Sequence, residues 1–235
     1  NIWNSWKHDL LKQLFMSSRK KLNLDERQSN DSIIKERKLR SIESIPGAKN
    51  EFLIKVWNQL SNAYFSKYQI QQLSDQAKTI ASSEGKTSIL IKSRKNLIEI
   101  FIFTPNQPGL FFKTVQSFEH LSIETIDSDI HTTDDGLYAL NTFICRHKIL
   151  GGNLIQRDIQ NIQKKIIAAI DSENPKSVTK AKPKTKKVFE YQTKVHITDS
   201  SIKNISLITL ETLDKPNLLS EVAKIFLDHG ISIDS

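Results

Sequence analysis

Apolar positions recur at helical spacing through the first third of the chain. Trp6, Leu10 and Leu14, with Leu11 and Phe15, make one stripe that ends in Arg19, Lys20 and Lys21, cations that favour a helix C-terminus. A second helix is predicted over 32–43, where Ile33, Ile34, Leu39 and Ile42 are apolar among Lys35, Glu36, Arg37, Lys38 and Arg40. Pro46-Gly47 interrupts the chain. A third helix fits 51–60, an aromatic stretch of Tyr64, Phe65 and Tyr68 follows, and a last helix fits 70–82. Residues 1–82 therefore read as a helical segment.

From Ser88 the period drops to two. Residues 88–92 are a short β-type run. In 97–103, Ile98, Ile100 and Ile102 fall on one face and Leu97, Glu99, Phe101 and Phe103 on the other. Pro105-Asn106-Gln107-Pro108-Gly109 then breaks the strand, because two prolines and a glycine favour a tight loop. A helix is predicted over 110–120, with Phe111, Val115 and Phe118 on one side. A strand follows over 123–132, a hairpin turn at Asp134-Asp135-Gly136, and a strand over 137–144. Gly151-Gly152 makes a loop, and 155–170 is helical with Ile159, Ile162, Ile166, Ala169 and Ile170 inward. The order is β-α-β-β-α, one strand short of a βαββαβ plan. Residues 171–187 hold six lysines and two prolines with almost no apolar residue. Such a segment buries too little to offset its ordering entropy and is expected to be a solvated linker. The β pattern restarts in 188–197, either as the fourth strand of the first module or as a lead-in to a second. A strand over 205–210, a turn at Asp214-Lys215-Pro216-Asn217, a helix over 218–229 and the start of a strand at Ile231 complete the chain.

The second β region repeats the first at a spacing of 108 residues. Ile100 falls on Ile208, Thr104 on Thr212, Pro108 on Pro216, Leu110 on Leu218, Phe118 on Phe226 and Ile123 on Ile231. Element order coincides as well, so the repeat is structural.

Composition narrows the chemistry. The chain has 235 residues, room for about two domains. Its formal charge of +8 suits nucleic acid or an anionic surface, yet a cytoplasmic protein with a few lysine-rich loops is the better account of where the charge sits. No aromatic-basic platform accompanies the lysines, so no nucleic-acid partner is expected. The single cysteine, Cys145, excludes an intrachain disulfide and a cysteine metal cluster. No apolar run reaches the ~18 residues a membrane helix needs, so no membrane partner is expected. The chain opens at Asn1 rather than methionine, and further sequence is expected upstream. His8-Asp9 stands alone on a helix, and the remaining histidines are scattered; a metal site needs several convergent ligands.

Asn106-Gln107-Pro108-Gly109-Leu110 and Asp214-Lys215-Pro216-Asn217-Leu218-Leu219 resemble the D-x-P-G-L-L loop of ACT domains. His131 to Gly136, Ala139 to Ile144, Trp3-Asn4-Ser5-Trp6-Lys7 and Tyr64-Phe65-Ser66-Lys67-Tyr68 extend the likeness along nearly the whole chain. Together they resemble the family of bifunctional uridylyltransferase/uridylyl-removing enzymes that modify the nitrogen-regulatory PII protein. Lys67, Gln76, Asn141 and Asn217 depart from the family's usual arginine, histidine, aspartate and glycine. The resemblance implies an α+β fold: a helical segment over 1–82, a ferredoxin-like βαββαβ ACT module over 88–170, a linker over 171–187 and a truncated second module over 188–235. It implies a glutamine-sensing regulatory region without a catalytic site, whose partners are L-glutamine, the PII protein and catalytic domains outside this chain. No cofactor is expected here; Mg2+ is expected for the parent enzyme. The expected ligand residues are Asn106, Gln107, Pro108, Gly109, Leu110, Asp214, Lys215, Pro216, Asn217 and Leu218. The physical ground is the loop itself: it delivers a strand end to a helix N-terminus, whose free N–H groups favour a carboxylate. The competing expectation is a module used only for packing or dimerisation.

Overall fold

The computed structural model describes residues 27–43, 45, 51–172, 192–199, 206–215 and 217–233. The predicted first helix, most of the lysine linker and Pro216 lie outside these. The helical segment contributes α1 (Arg27–Ile42), α2 (Glu51–Asn58), α3 (Asn62–Lys67) and α4 (Ile70–Ser83). The first of these begins five residues before the expected start at Ser32. The aromatic stretch is itself helical: Ser61 caps α3, its Oγ accepting from the Tyr64 N–H at 3.4 Å.

The first sheet holds β1 (Ser88–Arg94), β2 (Leu97–Pro105), β3 (Ile123–Thr132) and β4 (Tyr138–His147), with α5 (Leu110–His120) and α6 (Gln156–Ile170) between and after them. The strand order is β1-β2-β4-β3 and every pairing is antiparallel. The strand missing from the β-α-β-β-α reading is thus the one that comes first: β1 folds back on β2 and takes the edge place beside it. β5 (Lys194–Asp199) does not join this sheet. It pairs with β6 (Ser206–Glu211), ahead of α7 (Leu218–Asp228), which settles its role as a lead-in strand.

The sheet is buried on both faces. Ile98, Ile100 and Ile102 join Val115, Phe118, Phe143 and Ile166 beneath α5 and α6. Phe101, Phe103 and Leu140 point the other way, into Leu53, Trp57, Tyr64, Phe65 and Leu73 of the helical segment. That second core explains why both faces of β2 are apolar, a pattern expected for a strand covered on two sides.

The repeat persists in backbone detail. Gly109 and Asn217 both cap their helices in the left-handed region, at φ 73° and 66°, and Ser122 and Gly230 repeat this after the helices, at 58° and 66°. Thr87 and Thr104 share a 2.9 Å hydroxyl hydrogen bond, as do Thr193 and Thr212. The two units differ in cover. Val195, Ile197, Ile208 and Leu210, on the face matching the buried Ile89, Ile91, Ile100 and Ile102, are exposed. Ile231-Ser232-Ile233, expected to open a strand, is irregular, since no described strand pairs with it.

Gly152 sits directly on the β1–β2 turn: a Cβ there would lie 1.9 Å from the Lys95 carbonyl oxygen and 2.9 Å from the Leu97 nitrogen. Backbone cannot yield as a side-chain tip does. Gly152→Ala is expected to cost about 1–3 kcal/mol or more by urea denaturation, and an unchanged midpoint would show that the hairpin shifts freely. Among the described residues no helix is long and apolar enough to cross a membrane.

Candidate ligand cavity at the 106–110 loop

α5 and α7 pack antiparallel, one from each repeat. Leu227, in the last turn of α7, covers the N-terminus of α5, and a Cβ on Gly109 would lie 2.9 Å from its Cδ2. At the other end Glu119, in the last turn of α5, meets the first turn of α7, where Ser220 Oγ donates to its Oε2 at 2.6 Å. The Ser220 backbone N–H donates to the same carboxylate. Burial pushes the Glu119 carboxyl above its ordinary range, and these two donors partly offset the rise.

A cavity of about 460 Å3 lies at the first of these ends, within the size range of small-ligand sites, roughly 300–1,000 Å3. Its floor is the sheet, through Ile130, Thr132, Ala139 and Asn141. One wall is the loop and first turn of α5, Asn106 to Phe112. The other is Ala223, Phe226 and Leu227 of α7, with Gly230 to Ile233 after it. None of the described residues lining it carries a charged side chain.

The loop side chains are partly committed. Asn106 Nδ2 donates to the Gly136 carbonyl at 3.1 Å, tying the loop to the β3–β4 hairpin. Gln107 Nε2 donates to the Ile170 carbonyl at 3.0 Å, and its Oε1 accepts from Lys113 Nζ at 2.9 Å. Lys113 also reaches the Ile170 and Ser172 carbonyls, so the pair caps α6. Gly109 adopts φ 73°, which glycine reaches without the strain a Cβ brings. In the turn that follows, the Leu110 N–H donates to the Gln107 carbonyl at 3.2 Å, and the next N–H groups at a helix start have no acceptor within the helix.

The ten loop residues do not converge. Asn106, Gln107, Pro108, Gly109 and Leu110 line the cavity. Asp214, Lys215, Asn217 and Leu218 lie at the opposite end of the α5–α7 pair, where Lys215 Nζ pairs with Glu221 at 2.8 Å; Pro216 is outside the described residues. The α7 N-terminus already holds an anion, the Glu119 carboxylate.

Sequence reasoning missed two groups. Asn141 is 1% exposed, and neither its Nδ2 nor its Oδ1 has a hydrogen-bond partner among the described residues; in the sequence it stood out only as a departure from the pattern the chain resembles. Asp129 lies on the opposite face of β3, 5% exposed. Tyr68 OH donates to it, Lys67 Nζ lies 2.5 Å from Oδ1, and His131 Nε2 lies 2.9 Å from Oδ2. Burial works against ionisation, yet these donors together hold its carboxyl well below the usual carboxylate range. Tyr64 OH donates to Gln76 Oε1 at 2.7 Å beside this group, and the Tyr64 ring packs edge-on against His131. Cys145 is buried, and burial pushes its thiol up to about 12, which suits a packing residue rather than a nucleophile.

Comparison with known proteins bears on what such a chain is part of. No protein-family model matches the chain, and no solved structure matches it. Curated proteins do. The bifunctional uridylyltransferase/uridylyl-removing enzyme of Psychrobacter sp. (strain PRwf-1) is 24% identical over 255 residues, covering 99% of this chain and 28% of that protein. The enzyme of the same name from Vibrio campbellii is 26% identical over 242 residues, covering 99% and 27%. That from Acinetobacter baylyi is 24% identical over 251 residues, covering 100% and 28%. Along essentially its whole length, then, the chain is homologous to the bifunctional uridylyltransferase/uridylyl-removing enzymes, and it spans about 28% of the length of the curated relatives it matches.

Proposed function

We propose that the chain is the glutamine-sensing regulatory part of a bifunctional uridylyltransferase/uridylyl-removing enzyme acting on a PII protein, built from ACT-type modules. The observation that carries the reading is the uncharged cavity at the N-terminus of α5, closed by α7 from the second repeat. An α-carboxylate placed there meets N–H groups that have no helical partner. The walls come from two repeats, so a ligand that fills the cavity favours one docking of α7 on α5. A ligand shifts an equilibrium only by its differential affinity for the two states, and this shared wall supplies such a difference. The signal then passes to catalytic domains that supply the chemistry of the whole enzyme.

The proposed site is the first loop alone. Glu119 fills the corresponding position at the second loop, so one glutamine per chain is expected. The test is thermal unfolding with L-glutamine, with L-glutamate as control. At 100 times the dissociation constant the ligand adds about 2.7 kcal/mol, a rise of several degrees for a domain of this size. No rise at saturating glutamine would overturn the sensor reading and leave a module whose α5–α7 surface serves packing.

A further inference from the structure

We infer that the β3–β4 hairpin is the element through which occupancy of the cavity reaches the helical segment: it holds the cavity loop on one side and, through the Asp134 N–H, the α2–α3 connection on the other. This rests on the reading of the cavity as a ligand site, and it adds where the signal leaves that site.

Asn106, the first residue of the cavity wall, is held by the hairpin twice. Its backbone N–H donates to the Leu137 carbonyl at 2.8 Å and its Nδ2 to the Gly136 carbonyl at 3.1 Å. Two bonds from one residue to adjacent carbonyls fix its orientation as well as its distance, so the start of the loop moves with the hairpin. On the other side of the turn the Asp134 N–H donates to the Gln59 carbonyl at 2.9 Å. Gln59 lies between α2 and α3, just ahead of the Ser61 cap. The helix that Ser61 caps ends at the Lys67 and Tyr68 that reach Asp129.

Between these attachments the hairpin is closed on itself. The Thr133 carbonyl accepts from the Gly136 N–H at 2.7 Å. The Asp135 carboxylate accepts from Thr133 Oγ1 at 2.7 Å and from the Leu137 N–H at 3.1 Å, and the Tyr138 N–H donates to Thr133 Oγ1 at 3.0 Å. A turn bound in this way passes a shift of Asn106 on to Asp134 instead of bending between them. The Tyr138 ring also rests edge-on against Phe52 of α2, 5.5 Å between centroids. Such a ring contact tolerates sliding, whereas a bond between two backbone groups is directional. A ligand that fixes the loop thereby fixes the Gln59 carbonyl, and local opening of the α2–α3 connection becomes rarer.

The turn itself offers the test. Asp134 and Asp135 keep negative φ, while Gly136 turns to φ 72°. With the Thr133–Gly136 bond this places Asp134 at the second position of a type I turn, where proline is favoured. Asp134→Pro therefore keeps the turn and removes the N–H that reaches Gln59. Asp134→Asn keeps that N–H and removes only the charge that Lys38 of α1 feels. Asp134 is not among the residues lining the cavity, so neither variant touches the ligand's walls.

The experiment is amide hydrogen exchange of the protein and both variants, with and without saturating L-glutamine, with a ligand-free melting curve of each as the check on folding. In the unsubstituted protein and in Asp134→Asn, glutamine is expected to slow exchange in the 106–112 turn and also at 59–64, there by about 2–10-fold, the worth of one hydrogen bond. In Asp134→Pro the slowing at 106–112 is expected to persist and that at 59–64 to vanish. Slowing confined to 106–112 in the unsubstituted protein overturns the inference and leaves the ligand site standing, with no variant needed. Slowing at 59–64 that survives in Asp134→Pro also overturns it, since the route then runs through the sheet face. Its loss in Asp134→Asn assigns the effect to the carboxylate and overturns the N–H as the route. Absence of any slowing at 106–112 removes the site itself, and the inference with it.

Discussion

Asp129→Ala is expected to destabilise the protein by about 3–5 kcal/mol, the range found when one member of a buried ionic group is removed. Asp129 is where the helical segment grips the sheet. Lys67 and Tyr68 at the end of α3 both reach it, and His131 approaches from its own strand. Without the carboxylate, Lys67 can turn to solvent, since its side chain is 55% exposed. Tyr68 cannot: it is 5% exposed, and burial together with the hydrogen bond to Asp129 pushes its hydroxyl well above its usual range. The same group has a pH signature. A carboxyl held below its unfolded value contributes stability that is fully present above that value, about 3.9 for an aspartate, and is lost as pH falls further. Unfolding free energy should therefore be level in this respect above about pH 5 and decline below about pH 4, more steeply than in Asp129→Asn, which titrates no longer. Urea denaturation across pH 3–7 measures both effects. A loss under about 1 kcal/mol in Asp129→Ala at neutral pH would show that the grip is made by the aromatic packing of Tyr64 and Phe65 alone.

This grip was out of reach of the sequence because its partners lie 61 residues apart, Tyr68 and Asp129, and neither stands out by period. The same holds for Ser220 and Glu119, 101 residues apart. What local pattern controls was legible. α5 and β3 begin and end as predicted, because a Pro-Gly loop, an apolar stripe and an alternating run mark their ends. The 108-residue repeat predicted matching helices, and the structure matches them down to the left-handed caps at Gly109 and Asn217. The loop chemistry was legible only as a possibility for both loops. Which helix N-terminus faces open space is decided by what packs against it: Leu227 and a cavity at one, a carboxylate at the other. β3 shows how closely the two findings are joined. Ile130 and Thr132 face the cavity, while Asp129 and His131, alternating with them, face the helical segment. A strand with those alternating duties connects whatever fills the cavity to the helices beneath, by the period of two alone.

Phe118→Ala is expected to cost about 3–5 kcal/mol, and Phe226→Ala about 1 kcal/mol, although the two phenylalanines occupy the same place in the repeat. Phe118 is fully buried and packs edge-on against Phe143 at 5.0 Å, within the core that joins α5 to the sheet. Its removal leaves a void that close-packed neighbours cannot fill. Phe226 is half-buried on α7 and forms part of the cavity wall. Its removal enlarges a space that is already open. The order of effects should reverse for the ligand. Phe226→Ala strips apolar wall from the proposed site and is expected to weaken glutamine binding about 10-fold, for the loss of apolar contact worth 1–2 kcal/mol. The pair thus separates the two jobs that the repeat performs: the first copy makes a core, and the second lends its helix to close a site on the first. Equal destabilisation by both substitutions would mean that α7 belongs to the core of the first unit, and that the cavity is a packing defect rather than a place kept open for a ligand.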